Sequence, residues 1–308
     1  MKRDILLTIA WDARHAPWNG GDCSLNLVQT TKGPNMFIRY AAFATAAVLA
    51  MPVHAQDSDT DILFDLLMLP EIIDIMREEG LSYGDTIGAD LFAGEPSAEW
   101  DMTVASIYDP EVMVGMVRRD FEIALSDADL DPMIAFFGSE QGQAIVGLEV
   151  SARRALLDPA VEEASEDAAA IAAADSDPRL DLVAEFVEVN NLIETNVAGS
   201  LNSNLAFYEG LVDGRAFGGA LTEEQILTDV WAQEADIRES TTDWLFSFLF
   251  MAYAPLEDAD LEAYIAFSQT EAGEQINSAM FDSFEDLFTG ISRSLGRAAA
   301  AEMTTQEL

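Results

Sequence analysis

The sequence is short of three residue types on which many catalytic mechanisms depend. Its 308 residues include one cysteine and two histidines, and only two of its 15 basic residues are lysines. All five of these residues precede residue 56: Lys2, His15, Cys23, Lys32 and His54. The rest of the chain therefore cannot supply a Ser-His-Asp or Cys-His nucleophile, a zinc site of histidine and cysteine, a P-loop lysine or a Schiff base. It also cannot form a disulfide, so packing alone must stabilise the fold.

Positive charge is scarce as well. The chain has 56 acidic residues and a net charge of −41 at pH 7, and every basic residue after Ala55 is an arginine. Nucleic acids and anionic membranes bind to basic patches, so the composition excludes both as partners. Three interpretations of the acidity stay open: a solvated carboxylate coat that keeps an exported protein soluble, a basic partner, and weak binding of divalent cations.

One apolar run near the N-terminus is typical of a secretory signal peptide. Residues 36–55 read MFIRYAAFATAAVLAMPVHA, where Arg39 precedes an apolar stretch and Val53-His54-Ala55 forms a small-x-small cleavage site. The stretch is shorter than the roughly 20 residues of a transmembrane helix, so we expect cleavage after Ala55, a periplasmic protein and no stable membrane span. Residues 1–35 are predicted to be an upstream extension from a mis-called start, with a genuine cytosolic tail as the alternative.

An internal repeat predicts the domain organisation. Leu125–Gly142 (LSDADLDPMIAFFGSEQG, the first motif copy) recurs as Leu256–Gly273 (LEDADLEAYIAFSQTEAG, the second motif copy), and each residue lies 131 positions from its counterpart. A weaker match relates Asp61–Leu81 to Asp181–Leu201 at a spacing of 120. Apolar residues recur with helical spacing, and no stretch alternates as a strand would. We therefore predict an all-α protein made of two similar multi-helix repeats packed together, residues 56–174 and 175–308.

Proline and capping residues predict where individual helices begin and end. Pro70 is expected to kink or split a helix over Asp61–Glu79, and Gly80 to end it. Ser126–Asp129 is expected to form a capping box that opens the next helix. Three Asp-Pro pairs each place an N-cap ahead of a proline at the first helical position: Asp109-Pro110, Asp158-Pro159 and Asp177-Pro178.

Several stretches then point to a known family. Besides the two motif copies, the chain contains MREEGLSYGDTIGADLF, GLEVSARRALLDPAVEEA and NVAGSLNSNLAFYEGL. With the signal peptide, these stretches resemble secreted alphaproteobacterial proteins of the family catalogued as domain of unknown function twenty-fifty-nine. The likeness extends over essentially the whole mature chain. It implies a periplasmic helical protein, and it brings no established activity and no catalytic residues.

The remaining chemistry centres on carboxylates. Glu140 and Glu271 occupy equivalent positions in the two motif copies, and paired carboxylates can cleave glycosidic bonds. Each also follows a Ser or Thr cap, where the helix dipole favours a negative charge without any catalytic role. Two Asp-x-Asp-x-Asp runs lack the Gly and Glu of a calcium-binding EF-hand loop, so no metal site and no cofactor is predicted.

Four further residues are candidates for ligand binding. Trp100 and Trp231, separated by the same 131 positions, are either core anchors or a platform for a sugar ring. Arg153 and Arg154 stand out where arginines are so few. Glu149 lies four residues before Arg153, which favours an ion pair along one helix, and the alternative is recognition of a carboxylate or another anion.

Taken together, the residue types present favour a non-enzymatic binding or interaction module of the cell envelope. Its partner would be an envelope protein or a small ligand. The alternative is a carboxylate-dependent glycan hydrolase in the periplasm, and a third, weaker possibility is an acidic reservoir for cations.

Overall fold

The regular structure of the described chain is entirely α-helical, which confirms the predicted all-α class. The computed structural model describes residues 58–92, 94–216 and 222–306. The predicted upstream extension (1–35) and signal peptide (36–55) lie outside these residues. The helices are α1 Asp59–Leu66, α2 Leu69–Leu91, α3 Ala98–Ile107, α4 Pro110–Ala124, α5 Asp131–Phe137, α6 Glu140–Ala155, α7 Pro159–Asp175, α8 Pro178–Val189, α9 Leu192–Asp213, α10 Glu223–Ala232, α11 Glu234–Tyr253, α12 Asp258–Ser268 and α13 Glu271–Gln306.

The Asp-Pro pairs begin helices where the sequence predicts. Helices α4, α7 and α8 each start at the proline, and the preceding aspartate accepts hydrogen bonds from backbone N–H groups of the first turn. Pro70 also acts as predicted, because α1 ends at Leu66 and α2 begins at Leu69. Met68, between them, adopts the left-handed conformation with φ of 52°. Local backbone chemistry is sufficient to set these boundaries.

Two predicted boundaries are wrong, and packing explains the first. Gly80 does not end a helix but lies inside α2, where a Cβ atom would overlap the ring of Tyr108. The glycine therefore makes room for a buried aromatic ring. Ser126–Asp129 does not open α5, which begins at Asp131 with Pro132 in its first turn. A proline further inside would remove a helical hydrogen bond, so the helix begins next to it.

The buried apolar residues form two cores, and neither core belongs to one half of the sequence. The first core combines residues of α1 to α6 with residues of α13 and the end of α9. The second core combines residues of α6 with residues of α8, α11, α12 and the start of α9. Helix α6 contributes to both, with Val146 and Val150 in the first core and Ile145 and Ala152 in the second. The sequence boundary at residues 174 and 175 therefore does not separate the two cores.

The two motif copies share their local geometry and touch each other. Ser139 Oγ accepts a hydrogen bond from Gly142 N at 3.0 Å, and Thr270 Oγ1 accepts one from Gly273 N at 3.1 Å. The rings of Phe136 and Phe267 stack with centroids 4.1 Å apart and planes 8° from parallel. The repeated sequence thus forms the same capped junction twice, between α5 and α6 and between α12 and α13.

No helix of the described chain is both long enough and apolar enough to cross a membrane. This includes α11, which carries the apolar run WLFSFLFMAY. One face of α11 packs in the second core through Leu245, Phe248 and Leu249.

Candidate functional sites

The two glutamates proposed as catalytic are the first residues of their helices. Glu140 begins α6 and Glu271 begins α13, and both are exposed. Each follows a capping hydroxyl residue, so each carboxylate lies where the partial positive charge of the helix N-terminus favours it. Neither lines the groove or the pocket described below. The positions of Glu140 and Glu271 therefore agree with stabilisation of the helix N-termini and do not support acid–base catalysis.

The two tryptophans occupy unrelated positions. Trp100 is 2 % exposed, its indole N–H donates to the carbonyl of Gly84, and its ring meets Phe92 edge to face. Trp231 lies near the end of α10 and is 66 % exposed. The core interpretation therefore agrees with the burial of Trp100 and is wrong for Trp231. The two tryptophans are 131 positions apart, but α3 and α10 begin only 125 positions apart. The tryptophans therefore occupy different positions within their helices.

The neighbouring arginines also have different surroundings. Arg153 is 2 % exposed and forms an ion pair with Glu79 of α2. Arg154 is half exposed and pairs with Glu78 at 2.8 Å. The predicted ion pair between Glu149 and Arg153 is wrong, because Glu149 bonds to a tyrosine of α11 instead. Both arginines therefore tie α6 to α2 through ion pairs.

An open apolar groove lies between α3, α4 and α13, and we call it the α3–α4–α13 groove. Its volume is about 620 Å³. Met102 and Val112 on its walls are 67 % and 55 % exposed. Glu99 is the one charged residue in its lining. The other lining residues are mostly apolar or small: Thr103, Ser106, Ile107, Met113, Met116, Leu287, Gly290, Ile291 and Ser294.

Helical spacing explains why these residues share one groove. On α13, Leu287, Gly290, Ile291 and Ser294 occupy positions i, i+3, i+4 and i+7 and so lie on one face. Gly290 keeps the floor open, because the nearest side-chain atom to a Cβ placed there would be the terminal methyl of Met116 at 3.9 Å. The groove therefore has an apolar floor wide enough for a side chain of another molecule.

A second, much smaller pocket lies where the two cores meet, and we call it the Glu149 pocket. Its volume is about 50 Å³. Glu149 is the one charged residue in its lining, and five aromatic rings surround the space: Phe137, Phe186, Phe248, Tyr264 and Phe267. The other lining residues come mainly from α13 and the ends of α1, α8 and α12: Leu67, Asn190, Ser268, Gly273, Ile276, Asn277 and Met280.

Glu149 is a buried carboxylate with one oxygen bonded and one not. The side chain is 4 % exposed, and the hydroxyl of Tyr253 donates to Oε1 at 2.6 Å. No hydrogen-bond donor among the described residues reaches Oε2. Burial disfavours the charged form and raises the pKa of Glu149 to about 7, although the Tyr253 hydrogen bond opposes the shift. At neutral pH this group is therefore divided between its neutral and its ionised form.

Sequence reasoning missed both of these sites. The apolar neighbours of Glu149 at Ile145, Val146 and Val150 were a usable signal, because they place the glutamate on a buried helical face. Its tyrosine partner lies 104 positions away and leaves no local signal. The groove depends on how three distant helices pack, which no periodicity within one helix reveals.

Acidic side chains are abundant, but they do not gather into a metal site in the described ranges. Across residues 58–92, 94–216 and 222–306, no three Asp, Glu, His or Cys residues lie close enough together to hold a metal ion. The Asp-x-Asp-x-Asp run at residues 127–131 is no exception. There Asp129 Oδ1 accepts a hydrogen bond from Asp131 N at 3.2 Å, as in an ordinary turn.

The described chain is thus all-helical, and its cavities include the open apolar α3–α4–α13 groove and the small Glu149 pocket. A family model whose description is "Uncharacterized protein conserved in bacteria (DUF2059)" matches residues 111–170. The matched segment runs from α4 into α7 and includes the first motif copy and Glu149, whereas the second motif copy lies outside it. Comparison with curated proteins gave no match, and neither did comparison with solved structures.

Proposed function

We propose that this chain is a non-enzymatic interaction module of the cell envelope that binds the apolar face of a partner protein's helix. The α3–α4–α13 groove is the observation that carries the proposal. An amphipathic helix can lay its apolar residues into such a groove, and the exposed Met102 and Val112 would then be covered. Exposed apolar surface gathered around a groove is typical of protein interaction sites.

The charge around the groove indicates the character of the partner. Glu99 lines the groove. Two more acidic residues are exposed on the helices that form it, Asp101 on α3 and Glu111 on α4. The whole chain carries 56 acidic residues against 15 basic ones. A partner helix with lysine or arginine beside its apolar face would complement this field and associate faster.

The periplasmic location and the duplicated architecture belong to the same proposal. The signal-peptide pattern of residues 36–55 supports export, and sequencing of the exported protein should find Gln56 as the first residue. The matched junctions at Ser139 and Thr270, with Phe136 stacked on Phe267, support a duplicated helical unit. The Glu149 pocket does not support the glycan-hydrolase alternative, since it is too small for a sugar ring and contains a single carboxylate.

Substitution of groove residues tests the proposal. Binding of a synthetic amphipathic helix of leucine and lysine is measured by calorimetry at about 0.15 M salt, where long-range attraction is screened. We expect Met102→Asp and Val112→Asp each to weaken binding at least about tenfold, because each loses burial worth about 1.5–3 kcal/mol.

Ile171→Asp is the matched control. Ile171 is an exposed apolar residue of α7 and does not line the groove. It should leave peptide binding unchanged. Equal weakening by Ile171→Asp would refute the proposal. So would equal binding of a scrambled peptide of the same composition, because general attraction between opposite charges would then explain the result.

A further inference from the structure

We propose that the Glu149 pocket binds the ammonium group of a small primary amine, with Glu149 as its counter-ion and the surrounding aromatic rings as its walls. This site is independent of the α3–α4–α13 groove and goes beyond the interaction function. It lies at the meeting point of the two cores, between α6, α8, α11, α12 and α13.

The first step of the argument is the unpartnered carboxylate oxygen. Glu149 lines the pocket, and its Oε1 is already bonded to Tyr253. Its Oε2 has no hydrogen-bond donor in the described part of the chain. A buried polar atom without a hydrogen bond lowers the stability of the fold, and the effect is larger when the atom is charged. A ligand that donates an N–H to Oε2 would remove this effect.

The second step is the aromatic lining. Five aromatic residues face the pocket, and the negatively polarised faces of such rings attract a cation once water is excluded. Aromatic cages use this attraction to bind ammonium ligands, and in this pocket a carboxylate lies among the rings as well. An anion would gain nothing from this combination, and a neutral donor would gain the hydrogen bond to Oε2 but not the attraction of the charge.

The third step is size and access. A volume of about 50 Å³ holds a few non-hydrogen atoms, which suits ammonium or methylammonium and excludes a quaternary ammonium head with three or four methyl groups. Most lining residues are buried, but Tyr264, Phe267 and Asn277 are only partly so. These three side chains form the rim through which an amine could enter.

The fourth step is the charge of the neighbouring groups. Besides Glu149, the titratable groups facing the site are the hydroxyls of Tyr253 on α11 and Tyr264 on α12. Burial and the nearby Glu149 raise the pKa of both tyrosines, so both stay neutral at physiological pH. No lysine or arginine lines the pocket to compete for the carboxylate.

Binding of methylammonium to the full chain tests the inference. Chemical-shift changes at Tyr264 and Asn277 would be followed by NMR as methylammonium chloride is added at pH 8.5. Glu149→Gln keeps the shape of the side chain and an acceptor for Tyr253 but removes the charge, and we expect it to weaken binding at least tenfold. Glu140→Gln, at an exposed glutamate on the same helix, is the matched control and should bind as the unchanged protein does.

The pH dependence provides a second measurement that does not depend on how well a variant folds. Because the cation binds the ionised carboxylate, affinity should rise about thirtyfold from pH 5.5 to pH 8.5 for a group that titrates near pH 7. Absence of saturable binding, equal binding by Glu149→Gln, or equal binding of tetramethylammonium would each overturn the proposal. Equal binding of potassium would also overturn it, since the site would then select charge and not an amine.

Discussion

Two buried charged residues on α6 show how differently a fold can accommodate an ionisable group. Arg153 on α6 pairs with Glu79 on α2. Glu149, one turn earlier, has a single neutral partner in Tyr253. Burial without an opposite charge shifts the pKa of Glu149 upward. Both residues are buried, but only Arg153 has a partner of opposite charge. Glu149 can therefore change its charge state near neutral pH, whereas Arg153 forms a structural ion pair.

At the residue scale, Glu149→Gln should stabilise the protein at alkaline pH and have little effect in acid. The pKa of Glu149 is about 7 in the folded chain against 4.5 when unfolded, so the unfolded state loses its proton first as pH rises. The stability of the unchanged protein relative to the variant is therefore highest below pH 4.5 and falls until about pH 7. Between these two pH limits, the free energy of unfolding of the unchanged protein relative to the variant falls by about 3 kcal/mol.

Urea unfolding of both proteins between pH 4 and pH 8.5 measures this difference. Comparison with the variant is needed because many other carboxylates contribute to the total pH dependence. If the difference in stability between the two proteins stays constant across this pH range, the pKa of Glu149 is not raised by folding and the prediction is wrong.

At the element scale, the repeated unit is a tight junction between a short helix and a longer one. A Cβ atom at Gly142 would overlap the carbonyl oxygen of Phe136, and at Gly273 it would overlap that of Phe267. Each glycine therefore allows a close approach to the preceding helix of the same motif copy. The stacked pair of Phe136 and Phe267 then joins the two junctions.

Alanine at the junction glycines should consequently destabilise the protein. Gly142→Ala and Gly273→Ala each force backbone atoms apart, and we expect a loss of about 1–3 kcal/mol or more in the free energy of unfolding. Gly147→Ala on α6 is the matched control, because a Cβ there meets nothing within 4 Å. It should stabilise the protein by about 0.5–1 kcal/mol through helix propensity. Denaturant unfolding checks all three, and a neutral Gly142→Ala would contradict the geometry.

At the scale of the whole molecule, α13 and α6 unite the two halves of the sequence. Helix α13, at the end of the chain, supplies Ile276, Leu287 and Leu295 to the first core, which otherwise comes mostly from the first half. Helix α6, in the first half, supplies Ile145 and Ala152 to the second core. Because both cores draw on both halves of the sequence, we expect each half to depend on the other for stability.

Separate halves of the chain should therefore not fold alone. Residues 56–174 would lack α13 and residues 175–308 would lack α6, so each would expose a face of its core to water. We expect neither fragment to show a cooperative urea transition by circular dichroism, and an equimolar mixture to recover helical signal. Cooperative unfolding of either fragment by itself would instead support two independently stable repeats.

The sequence by itself determined the helical class and the helix starts that depend on local chemistry. The three Asp-Pro caps, the break at Pro70 and the Ser139 and Thr270 caps involve residues within a few positions of one another, so a linear pattern contains all the information. The low content of histidine, cysteine and lysine likewise limits the chemistry without any knowledge of the fold.

Only the tertiary structure decided which residues share a space. Tyr108 against Gly80, Tyr253 against Glu149 and the exposure of Trp231 all follow from how distant helices pack. Equal spacing along the chain could not predict them, because a spacing conveys position in the sequence and not the angle at which a helix meets its neighbours. The groove and the Glu149 pocket are of the same kind, since each is lined by three or more helices from different parts of the chain.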